Sequence, residues 1–560
     1  MRILYVASEA TPFIATGGLA DVAGSLPRAI RGKQHACRVV IPLYSAIKAE
    51  LRQEMKFVCN FYVPLGWRNQ YCGVFEASYG GVKYYFLDNE YYFKRDGGIY
   101  GFYDDAERFA FFSKAVCEMI QYIDFDPEII HCNDWQTAMT PVYLNLFYRN
   151  MDKYKGIKTV FTIHNIQYQG KYGMEIASDV LGLPYYAAPT MLYDGCLNMM
   201  KAAIEVCDYV STVSPTYAKE ITDPWFSHGL DRLLRANQHK LIGILNGIDT
   251  ISYNPETDRA LYANFTAKTI ERKTINKTHL QKDMGLWEDP DKMLIGIVTR
   301  FVAHKGIDLI QYIYEELMKR ELQIVALGSG DYIFESFFQE MQAKYPGKTA
   351  VRIGFIPDLA RKIYAGSDAF LMPSKSEPCG LAQMVSLRYG TLPIVRETGG
   401  LKDSITDMGL DLSGNGFTFK TYNAHDMLGA IDRAAGLYYN RPAWAQAVQK
   451  AMKIDFSWDR SADDYINMYR RRHCARAAGR ACLCCRAFRC GIPLPRAQSR
   501  AQRAGQCRGD LRRRVRAAAA AAARSDCFQS AVYCARRNGN TLPAGPLGTG
   551  NGPARRRGWA

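Results

Sequence analysis

The chain has 560 residues, and at roughly 150 residues per domain that allows two to four domains, each with a core of its own. Hydrophobic residues make up 48% and charged residues 22%, close to globular averages, which excludes wholesale disorder, a collagen-like fibre and a membrane bundle; no stretch reaches the ~20 apolar residues of a spanning helix. The net charge of +16 belongs to residues 471–560, which hold 20 Arg, no Lys and two acids, so the first 470 residues stand at −2 and the body is not expected to bind nucleic acid.

Met1 leads directly into Arg2-Ile-Leu-Tyr-Val-Ala7, a short apolar run that reads as a first buried strand and not as a presequence. With single cysteines scattered at Cys37, Cys59, Cys72, Cys117, Cys132, Cys196, Cys207 and Cys379, the expected setting is reducing and cytoplasmic, without a disulfide framework. Further apolar, β-branched runs at 37–42, 128–131, 158–163, 209–213 and 241–245 predict strands, separated by helix-length segments such as 105–122 and 134–149. A second series follows at 293–299, 322–327, 350–353, 368–372 and 392–395. Alternating strands and helices predict two α/β domains with doubly wound parallel sheets, dividing near Asn246-Gly-Ile-Asp249. In such sheets ligands sit beyond the carboxyl ends of the strands, so the strand-end loops are where chemistry is expected.

Those loops carry distinctive residues. Gly17-Gly18 precede a helix after the first strand, where backbone can approach a ligand and a helix start offers N–H groups to phosphate; taken alone, the pair is a tight turn. Arg300 ends the strand 293–299 and Lys305 follows five residues later, so a fork and a point charge can converge on one diphosphate. After the strand 368–372 comes Glu377-Pro-Cys-Gly-Leu381, where a carboxylate can bond sugar hydroxyls or cap the next helix. Thr398-Gly399-Gly400 repeats the Gly-Gly device. Asp134 closes another strand and reads as an N-cap, and His164, taken alone, reads as a satisfied core histidine.

Together these segments resemble the bacterial glycogen synthase and plant starch synthase family. The likeness runs in order from Thr16-Gly-Gly-Leu-Ala-Asp-Val22 through His131-Cys-Asn-Asp-Trp-Gln136, Phe161-Thr-Ile-His-Asn165, Thr212-Val-Ser-Pro-Thr-Tyr217 and Leu245-Asn-Gly-Ile-Asp249. It continues through Arg300, Lys305-Gly306, Glu377-Pro-Cys-Gly-Leu381, Arg388-Tyr-Gly-Thr-Leu-Pro393, Thr398-Gly-Gly-Leu401 and Asp455-Phe-Ser-Trp458. The resemblance implies a GT-B fold: an N-terminal Rossmann-like, acceptor-side domain at 1–248, a nucleotide-sugar-binding one at 249–455, and a terminal helix at 456–470 returning to the first. It also implies a retaining glucosyltransferase that extends α-1,4-glucan from ADP-glucose, with no metal and no resident cofactor.

By the same resemblance Arg300 and Lys305 hold the diphosphate, Glu377 meets the donor glucose, and His164 joins them as catalytic. Gly17, Gly18, Asp21, Asp134, Asn246, Cys379, Gly380, Leu381, Thr398, Gly399 and Gly400 bind substrate, and Phe355 falls where the family stacks an aromatic on adenine. Ala15 stands where the family carries Lys, which implies a missing donor-side cation. Rival readings are an enzyme for another nucleotide sugar, a silent glucan-binding homologue, and a nucleic-acid binder built on the tail. The tail itself, with 20 Ala and eight Cys, reads as a disordered or frameshift-derived extension.

Overall fold

A computed structural model describes residues 1–471; the readings made for the rest of the tail lie outside the described residues. The N-terminal half is built on strands β1 (Arg2–Val6), β2 (Ala36–Pro42), β3 (Lys56–Leu65), β4 (Arg68–Tyr79), β5 (Val82–Asp88), β6 (Ile129–Asn133) and β7 (Lys158–Ile163). Three short strands, β8 (Lys171–Tyr172), β9 (Leu192–Tyr193) and β10 (Cys196–Asn198), form a separate small sheet, and β11 (Tyr209–Thr212) and β12 (Leu241–Gly243) complete the main one. The main sheet has the order β12-β11-β7-β6-β1-β2-β5-β4-β3. Its centre is parallel and apolar on both faces, with Ile3, Leu4, Tyr5 and Val6 fully buried, as strands covered by helices on each side must be.

Two features depart from simple alternation. The β3–β4 and β4–β5 pairs are antiparallel, extending one edge of the sheet with hairpins that the helix-strand rhythm does not announce. The segment 134–149, expected as one helix, is a 3₁₀ turn at Trp135–Thr137, an α-helical turn at Met139–Tyr143 and a π turn at Leu144–Tyr148. Pro141 supplies no N–H to a continuous ladder, so the run breaks into pieces with different hydrogen-bond spacing.

The C-terminal half carries β13 (Met293–Val298), β14 (Leu322–Gly328), β15 (Thr349–Ile353), β16 (Ala369–Met372), β17 (Leu392–Arg396) and β18 (Phe417–Phe419), all parallel, in the order β15-β14-β13-β16-β17-β18. In each half the strand order reverses beside its first strand: between β1 and β6, and between β13 and β16. Crossovers that leave in opposite directions open a crevice at that point, where the loops after those strands diverge.

The chain crosses between the halves twice. At the first crossing Gly247 passes so close to the second that an added Cβ would lie 2.7 Å from the Trp458 nitrogen, and Ile248 bridges Ser457. The helix Trp458–Arg470 buries Trp458, Ser461, Ala462, Tyr465, Ile466 and Tyr469, the i, i+3, i+4 stripe of an amphipathic helix. It reaches the N-terminal half through Ser461 Oγ donating to Leu245 O at 2.6 Å, Lys33 Nζ to Asp463 at 2.8 Å, and Tyr469 OH, 2.7 Å from His131 Nδ1. Among the described residues no helix is long and apolar enough to cross a membrane, and the eight cysteines are free.

Candidate active site

The β13–β16 switch point gathers most of the predicted charge. Arg300 leaves β13 exposed, and Lys305 follows on the 3₁₀ turn Ala303–Lys305. After β16 the loop brings back Glu377, which is buried, and Lys305 Nζ donates to both of its oxygens, at 2.9 and 2.7 Å. Ser374 Oγ donates to the same carboxylate at 2.9 Å. Burial alone would raise the Glu377 carboxyl, but the Lys305 charge and these donors hold it below the ordinary range, so it is ionised at neutral pH. His304, half-buried between Arg300, Lys305 and Glu377, is pushed down first by burial and then by the two cations.

Behind Glu377, Cys379 is buried and its thiol is pushed up to about 12 by burial, opposed by the backbone N–H of Asn246. A protonated thiol is no nucleophile, so Cys379 shapes the loop and carries out no covalent step. Gly380 takes φ +67°, and Leu381 precedes the helix Ala382–Arg388. Thr398, Gly399 and Gly400 are buried behind this loop: a Cβ on Gly399 would lie 2.0 Å from Glu377 O, and one on Gly400 2.0 Å from Cys379 O. Their N–H and O–H groups are occupied, since Gly400 N donates to Glu377 O (3.1 Å) and Glu220 receives both Thr398 Oγ1 (2.9 Å) and Gly399 N (3.0 Å). Phe355, in the loop after β15, is 91% exposed.

At the β1–β6 switch point Ala15, Thr16, Gly17 and Gly18 are exposed, and a Cβ on Gly18 would meet nothing within 4 Å. The turn is pinned from beneath by Glu9, which sequence reasoning missed: its carboxylate accepts from Thr16 N (2.5 Å) and Thr16 Oγ1 (2.8 Å). The only local signal is an acid, 3% exposed here, at the end of an apolar run. Asp21, one turn into the helix Gly18–Gly32, has its carboxyl raised to about 6 by burial and by Asp249. It lines a cavity of about 310 Å³ together with Arg28, Asp249, Tyr253, Arg361 and Leu381, so residues of both halves meet there. A hollow of about 470 Å³ around Ile248, Phe265, Arg388 and Phe456 contains none of the predicted site residues.

Asp134 does not cap the turn that follows it. It sits at φ +55°, ψ +177°, a region nearly confined to glycine, and its carboxylate instead accepts from the backbone N–H of His164 (2.8 Å) and Asn165 (3.4 Å). Burial raises this carboxyl to about 7. His164 is half-buried, with Nε2 2.9 Å from Asn133 Oδ1. Asn133 Nδ2 donates to Val6 O, so Oδ1 is the acceptor and His164 Nε2 carries the proton, leaving Nδ1 as a lone pair. Burial lowers this imidazole to about 3, which keeps it neutral. Asn246 is buried at the first crossing, its Oδ1 without a hydrogen-bond partner. Among the described residues no group of three His, Cys, Asp or Glu is placed to hold a metal ion.

The arrangement offers cations and a buried carboxylate at one switch point, and sugar-type acceptors at the other, while Thr398, Gly399 and Gly400 hold the Glu377 turn from behind with their own donors already engaged. Residues 2–236 match the family model of the starch synthase catalytic domain, and residues 285–451 match glycosyl transferases group 1. The chain is 48% identical over 476 residues to a glycogen synthase of Exiguobacterium sibiricum, covering 84% of this chain and 99% of that one. It is 49% identical over 472 residues to a glycogen synthase of Geobacillus thermodenitrificans, covering 84% and 97%. The catalytic domain of starch synthase IV from Arabidopsis thaliana, solved bound to ADP and acarbose, superposes with a TM-score of 0.76 at 32% identity, covering 84% of this chain and 98% of that one.

Proposed function

The chain belongs to the glycogen synthase and starch synthase family of glycosyltransferases, and from that membership we propose that it transfers glucose from ADP-glucose to the non-reducing end of an α-1,4-glucan, with retention at the anomeric carbon. The observation that carries the reading is the Lys305–Glu377 pair beside Arg300 at the β13–β16 switch point. Breaking the anomeric C–O bond leaves positive charge on the sugar and adds negative charge to the departing diphosphate. Groups fixed where that charge develops favour the transition state over the ground state.

In this reading Arg300 and Lys305 receive the diphosphate. Lys305 also fixes the ionised Glu377, whose oxygens accept hydroxyls of the donor glucose. The neutral His164, with Nδ1 free as an acceptor and Nε2 anchored on Asn133, orients a sugar hydroxyl. Asp21 and Asp134 accept further hydroxyls, and Gly17 and Gly18 let backbone approach the phosphates. Phe355, Asn246 and the turn Cys379–Leu381 complete the donor side. Held this way, ADP departs without a glycosidase-type acid, and the attacking 4-hydroxyl enters on the face the diphosphate leaves, its O–H proton passing to the departing diphosphate oxygen as the new C–O bond forms. No metal and no resident cofactor enter this account, because the leaving-group charge falls to the two cations.

The test is incorporation of labelled glucose into glycogen. Label from ADP-glucose, and not from UDP-glucose, is expected to enter polymer, and Arg300→Ala or Lys305→Ala to lower kcat by on the order of 10²–10³. Transfer from UDP-glucose alone, or ADP release without polymer labelling, would refute the proposal.

A further inference from the structure

We propose that Ser214, Thr216 and Glu220 of the N-terminal half and Asp403 of the C-terminal half form a reciprocal clasp that sets the position of the loop Glu377–Leu381, making these four positioning residues of the transfer reaction. The inference rests on the function proposed above and assigns a role to the motif Thr212-Val-Ser-Pro-Thr-Tyr217, which takes no part in the site as described so far.

The geometry is an exchange of helix caps. Asp403 accepts from Thr216 N (2.7 Å) and Thr216 Oγ1 (2.6 Å), at the start of the helix Pro215–Glu220. Glu220, at the end of that helix, accepts from Thr398 Oγ1 and Gly399 N, at the start of the helix Gly399–Ser404, which carries Asp403. Each carboxylate thus meets the positive end of the helix that supplies the other. Ser214 Oγ adds a bond to Pro378 O at 2.9 Å.

Two further contacts connect the clasp to the chemistry. Gly400 N donates to Glu377 O at 3.1 Å and to Pro378 O at 3.2 Å, so the backbone of the Glu377 turn rests on the very helix that Glu220 caps. On the other side Tyr217, buried, accepts from Ile166 N at 3.3 Å, two residues after His164. A single short helix therefore ties the His164 turn to the Glu377 turn. Separating the halves would break five hydrogen bonds together, taking Ser214 off the Pro378 carbonyl and both carboxylates off the helix starts they cap, and would leave the carbonyls of Glu377 and Pro378 held by Gly400 N alone.

The experiment combines steady-state kinetics with ADP-glucose and glycogen, hydrogen exchange over 377–381 and 398–404, and thermal unfolding, all on the full chain. For Glu220→Ala and Asp403→Ala we expect kcat to fall roughly 10- to 100-fold, as for loss of a charge-assisted hydrogen bond, with KM for ADP-glucose within about threefold and faster exchange at 377–381. Glu220→Gln keeps an accepting oxygen for Gly399 N–H and is expected to recover kcat to within about fivefold of the parent. Thr216→Val, which removes one of the two bonds to Asp403, and Ser214→Ala, which removes the bond to Pro378 O and the cap on Tyr217 N, serve if a carboxylate variant does not fold. Unchanged kcat and exchange per folded molecule, or losses that only track the unfolded fraction, would overturn the clasp. A parent that transfers no glucose refutes the proposed function instead, and the exchange data still decide the clasp.

Discussion

Of the three carboxyls assigned to the site, only Glu377 has a cation within hydrogen-bond distance. Asp21 and Asp134 have none, and burial raises them to about 6 and about 7. For Asp21 the sign of the linkage is definite. Between an unfolded value near ~3.9 and the folded value near 6, the folded chain keeps a proton that the unfolded chain releases, so a cost develops as pH rises and is complete above 6. Asp21→Asn removes that cost: thermal unfolding should show the variant more stable by up to about 3 kcal/mol at pH 8, with the gap closing near pH 4. Equal stability at pH 8 would show that the carboxylate is not desolvated. Most residue types at the site were legible because they sit in the loops and helix starts that follow strand runs. The bonding of Asp134 was not, because its partners at 164 and 165 come from the loop after the neighbouring strand β7.

Two glycine pairs that look alike in sequence do different work. Gly399-Gly400 is a close approach of backbones, with 2.0 Å between a built Cβ and the carbonyls of Glu377 and Cys379. Gly18 has open space, and its neighbour Gly17 meets only Glu9 Oε1, at 4.0 Å. Gly400→Ala should therefore destabilise the fold by roughly 3 kcal/mol or more in urea unfolding, whereas Gly18→Ala should stay within about 1 kcal/mol. Similar losses for the two would show that crowding does not distinguish the pairs. The break of 134–149 into three kinds of turn belongs to the same scale, where Pro141 is visible in the sequence but the hydrogen-bond spacing chosen around it depends on packing.

Across the whole molecule, the second crossing returns Tyr469 to His131, which also meets Thr162 at 2.6 Å. Burial lowers both His131 and His164 to about 3, against an ordinary value near ~6.5. Between those values the unfolded chain binds protons the folded one does not, so their contribution is complete above pH 6.5 and is lost as pH falls toward 3. Asp21 and Asp134 act with the opposite sign over part of that window, so the measurement is a difference between proteins. In urea unfolding the parent's advantage over His131→Gln should be largest at pH 7 and shrink as pH falls through 6.5. A gap independent of pH would mean that the imidazole is not held neutral.

Periodicity and turn chemistry act over a few residues. The apolar strand runs, the loops that end them and the types of residue those loops carry could therefore be read directly along the chain. Glu9 beneath Thr16, Glu220 on Gly399, Asp403 on Thr216 and Tyr469 on His131 could not. Apart from Glu9, which acts within its own turn, each pairs residues some 180 to 340 positions apart, and their meeting depends on strand order and on where the chain crosses between halves. A buried polar group takes whichever partner the packed sheets bring within 3 Å, and no local pattern in the chain encodes that choice.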